Sequence, residues 1–117
     1  MVERGERPKP MFQVEIRFLS PEEGGRTSSA VQGYRPDVMF QNDDALYMIH
    51  PEFIDTEGVP IPKDTPITGR VRALMRPYSE EVRRKSSAKV RAGDTIKIQE
   101  GPHTVAFATV TEVYGDT

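Results

Sequence analysis

Phe12, Val14, Ile16 and Phe18 fall at every second position, with Gln13, Glu15 and Arg17 between them. That period of two predicts a strand over Phe12–Phe18 with one buried and one wet face. The strand ends at Ser20-Pro21, and Glu22-Glu23-Gly24-Gly25 supplies residues for a turn. Asp37 to Gln41 alternates again after Pro36, and Ala45 to Ile49 is a further strand candidate. From Pro51 to Pro66 four prolines and the Glu57-Gly58 pair leave room only for short edge pieces. Alternation returns from Ile67 to Met75, with Ile67, Val71, Ala73 and Met75 on one face and Thr68, Arg70, Arg72 and Leu74 on the other. Tyr78 to Lys89 has helix signals, Ser79 as a cap followed by Glu80 and Glu81, but Val82 is its only large apolar residue. The expectation there is a mobile, solvated loop. Thr95–Gln99, the turn Glu100-Gly101-Pro102 and Thr104–Val113 read as a hairpin. Its second strand carries apolar residues on both faces, as a strand covered on both sides does.

Ten prolines and nine glycines scattered along 117 residues suit short strands and turns and oppose long helices. One core fits a chain of this length, so residues 11–117 are read as a single barrel domain and residues 1–10 as a flexible N-terminus. The absence of cysteine excludes disulfides and thiolate metal sites, and the expected compartment is the cytoplasm. No apolar run approaches the roughly 20 residues that span a bilayer, so no membrane partner is expected.

Net charge is only -2, but the two signs are segregated. Asp43, Asp44, Glu52, Asp55, Glu57 and Asp64 face Lys63 alone between residues 41 and 64. Between residues 70 and 91 the balance reverses, with Arg70, Arg72, Arg76, Arg83, Arg84, Lys85, Lys89 and Arg91 against Glu80 and Glu81.

Three stretches carry a resemblance. Glu23-Gly-Gly-Arg-Thr27 followed by Gly33-Tyr-Arg-Pro36, Leu74-Met75-Arg76-Pro77, and Gly93 with Glu100-Gly101-Pro102-His103-Thr104-Val105 resemble the C-terminal, third domain of elongation factor Tu. The likeness runs from about Phe12 to Val113, with loops about four residues longer between Phe40 and Glu57 and about ten longer between Pro77 and Gly93. It implies an all-β fold, a six-stranded antiparallel Greek-key barrel, here as a stand-alone protein. That family domain contacts the T-stem of aminoacyl-tRNA and packs on a GTPase domain. Carried over residue by residue, the tRNA-contact positions fall on Arg26, Arg76, Glu100 and Gly101, whose chemistry suits phosphate and ribose.

Departures from the family pattern are equally specific. Asp37 replaces a glutamine near the RNA, and an acid there repels phosphate. Thr27, Ser28-Ser29, Ala30-Val31, Gln32 and His103 also differ from the family. The sequence has no Gly-x-x-x-x-Gly-Lys-Ser/Thr loop, so the resemblance brings no GTP binding with it.

His50 and His103 are the only histidines, and no serine or threonine sits in a nucleophile motif. The expectation is a non-enzyme with no cofactor. Asp43-Asp44 lacks calcium-loop spacing and reads as a solvated turn, so no metal is expected. Gly24, Gly25, Gly33 and Pro36 read as turn residues, and Tyr34 and Arg35 as closing the barrel rim. Arg83, Arg84, Lys85, Lys89 and Arg91 join the four carried-over positions as a candidate RNA surface, with tRNA or another RNA, or a translation-related protein, as partner. The opposing reading pairs Arg70 and Arg72 with the acidic 41–64 segment and leaves the loop merely solvated. A protein-interaction or accessory subunit without any RNA role is the alternative function.

Overall fold

A computed structural model describes residues 8–115. The chain is mostly β, with strands β1 (Phe12–Phe18), β2 (Asp37–Met39), β3 (Ile49–Ile54), β4 (Arg70–Pro77), β5 (Thr95–Glu100) and β6 (His103–Val113) and one short helix, α1 (Glu80–Ser86). The strands form one antiparallel sheet in the order β2-β5-β6-β1-β4-β3. Its two edges approach each other where Val38 of β2 and Tyr47, just before β3, exchange backbone hydrogen bonds of 2.9 and 3.0 Å. The sheet is thus curled into a half-barrel.

Register explains the curl. Phe53, Ala73, Val14 and Val110 lie opposite one another across four strands, and Ile96, Ala108, Ile16 and Val71 make a second row. Phe12, Val14, Ile16, Phe53, Met75, Ile96 and Ile98 are fully buried, and Ala73, Ala106 and Ala108 sit among them. Small side chains between large ones let the inner face close over itself. Each large side chain so buried contributes about 1.5–3 kcal/mol. A bulge at Ile98/Gln99 turns both residues inward and bends the end of β5.

Several sequence expectations shift. The second strand is shorter than Asp37–Gln41, since the chain turns at Phe40, although Phe40 itself is buried. Ala45–Ile49 is not a strand; β3 begins at Ile49 and runs through Pro51, which an edge strand accommodates. Ile67 is a lone bridge to Ala30, and β4 starts at Arg70 because Gly69 turns the chain at a φ of 67°. In β6 Val105 and Ala106 are both covered, but Thr109 and Thr111 face water, so only its first half is enclosed on both sides.

The segment expected to be a mobile, solvated loop is α1 followed by a 3-10 turn over Ser87–Lys89. Ser79 caps it, Oγ accepting from Val82 N at 3.3 Å. The apolar face judged too small is completed by Arg83 and Ser86, both buried, beside Val82. Ser86 turns its hydroxyl onto Val82 O at 2.6 Å, so its small side chain packs without an orphaned polar group.

The flexible N-terminus expected over residues 1–10 lies, for residues 1–7, outside the described residues. Pro8 and Lys9 are tied down: the carbonyl of Pro8 accepts from Arg76 Nη1 at 2.8 Å and that of Lys9 from Arg83 Nη2. Among the described residues no helix is long and apolar enough to cross a membrane.

Candidate functional site

Arg26 and Tyr34, from two loops, and Glu100, from the end of β5, meet at one end of the half-barrel. Ser20 and Glu23 cap each other reciprocally around the 3-10 turn Pro21–Glu23, which fixes the approach to Arg26. Gly25 packs so closely on the chain that a Cβ there would lie 2.2 Å from Leu19 O. Gly101 takes a φ of 60° in the turn from β5 to β6 and sets Glu100 at the strand's end.

The Arg26 guanidinium lies 4.7 Å from the Tyr34 ring centroid, donates through Nη1 to Glu100 Oε2, and holds Ser28 O through Nε at 3.1 Å. Tyr34 OH donates to the same Glu100 oxygen, and its ring packs 6.3 Å from that of Phe18. Burial, then the neighbouring Glu100 carboxylate, raise the Tyr34 pKa far above the usual phenol value. Burial also pushes Glu100 upward, but the Tyr34 and Arg26 hydrogen bonds outweigh it and keep the carboxyl below its ordinary range. The three side chains form one anionic acceptor held by two donors, half-sunk in the surface.

Tyr34 also lines an open groove of about 510 Å³ together with Arg35, His50, Lys63, Arg76 and Tyr78. On its wall Arg76 donates through Nε and Nη2 to Glu52 Oε1 at 3.2 and 2.9 Å. His50 meets the Tyr78 ring edge-on, centroids 6.4 Å apart. Burial first, then the positive charge of Arg35, lower the His50 pKa, with Asp37 pulling the other way. Together these favour the uncharged imidazole. Tyr78 is 56% exposed, while Arg35 and Lys63 stand open to solvent at the rim.

The structure distributes the candidate RNA residues over several places. Arg26, Glu100 and Gly101 share one patch, and Tyr34 joins it to the groove that holds Arg76. Arg83 is buried against Glu80 at 3.0 Å and the Lys9 carbonyl. Arg84 is exposed on α1, and Lys85 pairs one turn back with Glu81 at 3.2 Å. Lys89 reaches Asp43 at 3.2 Å, and the two line a shallow cleft that Arg91 also borders.

The pairing of basic and acidic segments runs through partners other than those expected. Arg76 and Lys89 take the carboxylates Glu52 and Asp43. Arg72 donates instead to the backbone carbonyls of Thr56 and, at 3.4 Å, Asp55. Asp43 is a hub: it accepts from Ala45 N at 3.0 Å, Tyr47 OH at 2.8 Å and Lys89, which together lower its pKa to about 2. Among the described residues no group of three or more His, Asp or Glu side chains is arranged to hold a metal.

Sequence reasoning passed over two residues that matter. Gln32, in sequence only a departure from the family pattern, pairs its side chain with the open edge of β3, accepting from Phe53 N at 2.7 Å and donating to Phe53 O and Ile61 O at 2.9 Å. His103 joins the β5–β6 turn to the Gly24 carbonyl. Neither long-range contact has a local signal in sequence. No known family model matches the chain.

Proposed function

We propose that this chain is a non-enzymatic, cytoplasmic binding module with the Greek-key barrel of the third domain of elongation factor Tu, and that it engages RNA of tRNA-like character. The strand order, with β1 between β6 and β4 and both edges meeting at Val38 and Tyr47, supports that barrel. The observation that carries the RNA reading is continuity. Arg26, Glu100 and Gly101 adjoin the groove of Arg76 through Tyr34, so the four carried-over positions lie along one path. In this reading Arg26 and Arg76 meet phosphate, and the Glu100–Gly101 turn meets ribose hydroxyls. Arg84, Lys85 and Arg91 extend the positive field.

The test is fluorescence anisotropy with labelled tRNA across a salt series. Affinity falls steeply with salt as counterions are released, and Arg84→Glu with Arg91→Glu weakens binding. Those two are exposed, whereas Arg83→Glu would break the α1 anchor and report on folding. Binding that is absent, or flat with salt, refutes the reading.

A second reading, a protein-interaction module, is favoured by one observation: Met48 and Tyr78 expose apolar surface beside each other, Tyr78 N donating to Met48 O at 2.8 Å, and Leu46, two residues before Met48, is exposed as well. A defined protein captured by the purified chain and retained after nuclease treatment supports it.

A further inference from the structure

We infer that the groove between Tyr34 and Tyr78 takes a single unstacked nucleotide of an RNA strand, its base on the Tyr78 ring and its flanking phosphates on Arg35 and Lys63. The inference rests on the RNA reading above and gives it a subsite.

Size restricts the occupant first. A volume of about 510 Å³ lies within the roughly 300–1,000 Å³ of sites that hold one small molecule. A duplex or a helix does not enter. One nucleotide, or a few residues of extended peptide, does.

Chemistry separates those two. Tyr78 is an aromatic side chain with 56% of its surface in water and no place in the core. Its root is fixed: Pro77 before it is buried and paired with Ile49, its own N–H binds Met48 O, and its ring abuts His50. A ring held at its base and open above is a stacking platform, which any base can use. His50 sets a planar edge beside it, its ring centroid 6.4 Å from that of Tyr78.

Charge agrees. Arg35 and Lys63 stand exposed at the rim, and Arg76 lies on the wall with Glu52 against it. Counting those side chains leaves the groove net positive, which draws an anion. An acidic peptide satisfies the charges but gives the Tyr78 face nothing planar to stack on. A nucleotide satisfies both. The groove also opens beside Tyr34, so a strand leaving it continues toward Arg26 and the Glu100–Gly101 turn.

The experiment is anisotropy with a labelled short oligoadenylate, alone and annealed to oligouridylate, using the full chain. The single strand binds more tightly than the duplex. Tyr78→Ala weakens single-strand binding on the order of 10-fold while Tyr78→Phe retains it. Arg35→Gln with Lys63→Gln lowers the slope of log affinity against log salt by about 1.4. Tyr78 is on the surface, so unchanged circular dichroism separates loss of binding from loss of fold. If wild type binds RNA but Tyr78→Ala leaves affinity unchanged, or the duplex is preferred, the groove inference falls and the RNA reading stands. If wild type binds neither oligonucleotide, the groove inference falls, and the RNA reading falls with it only if labelled tRNA is not bound either. If a glutamate-rich peptide displaces the single strand and depends more strongly on Tyr78 than RNA does, the occupant is an acidic protein segment and the inference is overturned.

Discussion

Replacing Gln32 tests whether one side chain closes the free edge of the sheet. Phe53 sits in β3 with its backbone N–H and C=O turned away from β4, and the Gln32 amide meets both while also reaching Ile61 O. Three neutral hydrogen bonds at about 1 kcal/mol each would give about 3 kcal/mol. The groups are only part-buried and Ile61 N still donates to Phe53 O at 3.0 Å, so Gln32→Ala is expected to cost about 2 kcal/mol. Gln32→Glu sharpens the test. A carboxylate still accepts from Phe53 N but cannot donate, and it sets a negative charge against two carbonyl oxygens. Its folded-state pKa is then raised above that of the unfolded chain, so the protonated form is the stable one. The variant is least stable relative to wild type at pH 7 and recovers as the pH falls toward the usual carboxyl range of about 4. Urea unfolding of wild type and both variants at pH 7 and pH 4.5 reads these differences. A Gln32→Ala cost below about 0.5 kcal/mol, or a Gln32→Glu variant at pH 7 no weaker than Gln32→Ala, would refute the edge-closing role.

Other expectations follow from single contacts. Gly25→Ala places a Cβ 2.2 Å from Leu19 O and should destabilise by about 3 kcal/mol in thermal melts, whereas Gly24→Ala, with open space but a φ of 92°, should cost only about 1 kcal/mol. Asp43 has a folded pKa of about 2 against an ordinary 3.8. Its contribution is therefore complete above pH 3.8 and lost as the pH falls toward 2, and Asp43→Asn should flatten that acid limb of the stability curve. Glu100→Gln removes the charge that helps suppress Tyr34 ionisation, so alkaline absorbance titration should show a tyrosine titrating at lower pH than in wild type. No change in that titration would refute the contact.

The β1 strand and the final hairpin were legible because their alternation is strict and their turns local; both run within a residue or two of expectation. The helix α1 hides its signal for a physical reason. Its buried face is made from the stem of Arg83 and a self-satisfied serine, which a count of large apolar residues scores as polar. The site was legible only in part. The Glu-Gly-Gly-Arg and Glu-Gly-Pro runs pointed to Arg26 and Glu100, but their meeting over Tyr34 depends on two loops converging on the end of β5, a long-range event without a local code. Charge segregation was visible, yet the partner each cation takes was not. Arg70 and Arg72 looked like the pairing residues from spacing; the β3–β4 register instead sets Arg76 beside His50 and within reach of Glu52.

The carbonyls of Pro8 and Lys9 receive guanidinium groups from two different elements, Arg76 in β4 and Arg83 in α1. Those neighbouring peptide units act as a clasp across the join between sheet and helix, and Pro8 is itself part of the groove's rim. Cutting the chain after residue 10 would take one acceptor from each arginine, leaving Arg76 on Glu52 and Arg83 on Glu80, and so loosen the join between helix and sheet. A shortened protein is therefore expected to be less stable and to have an altered groove wall. Alterations at this end should therefore be judged by their effect on ligand preference as well as on yield.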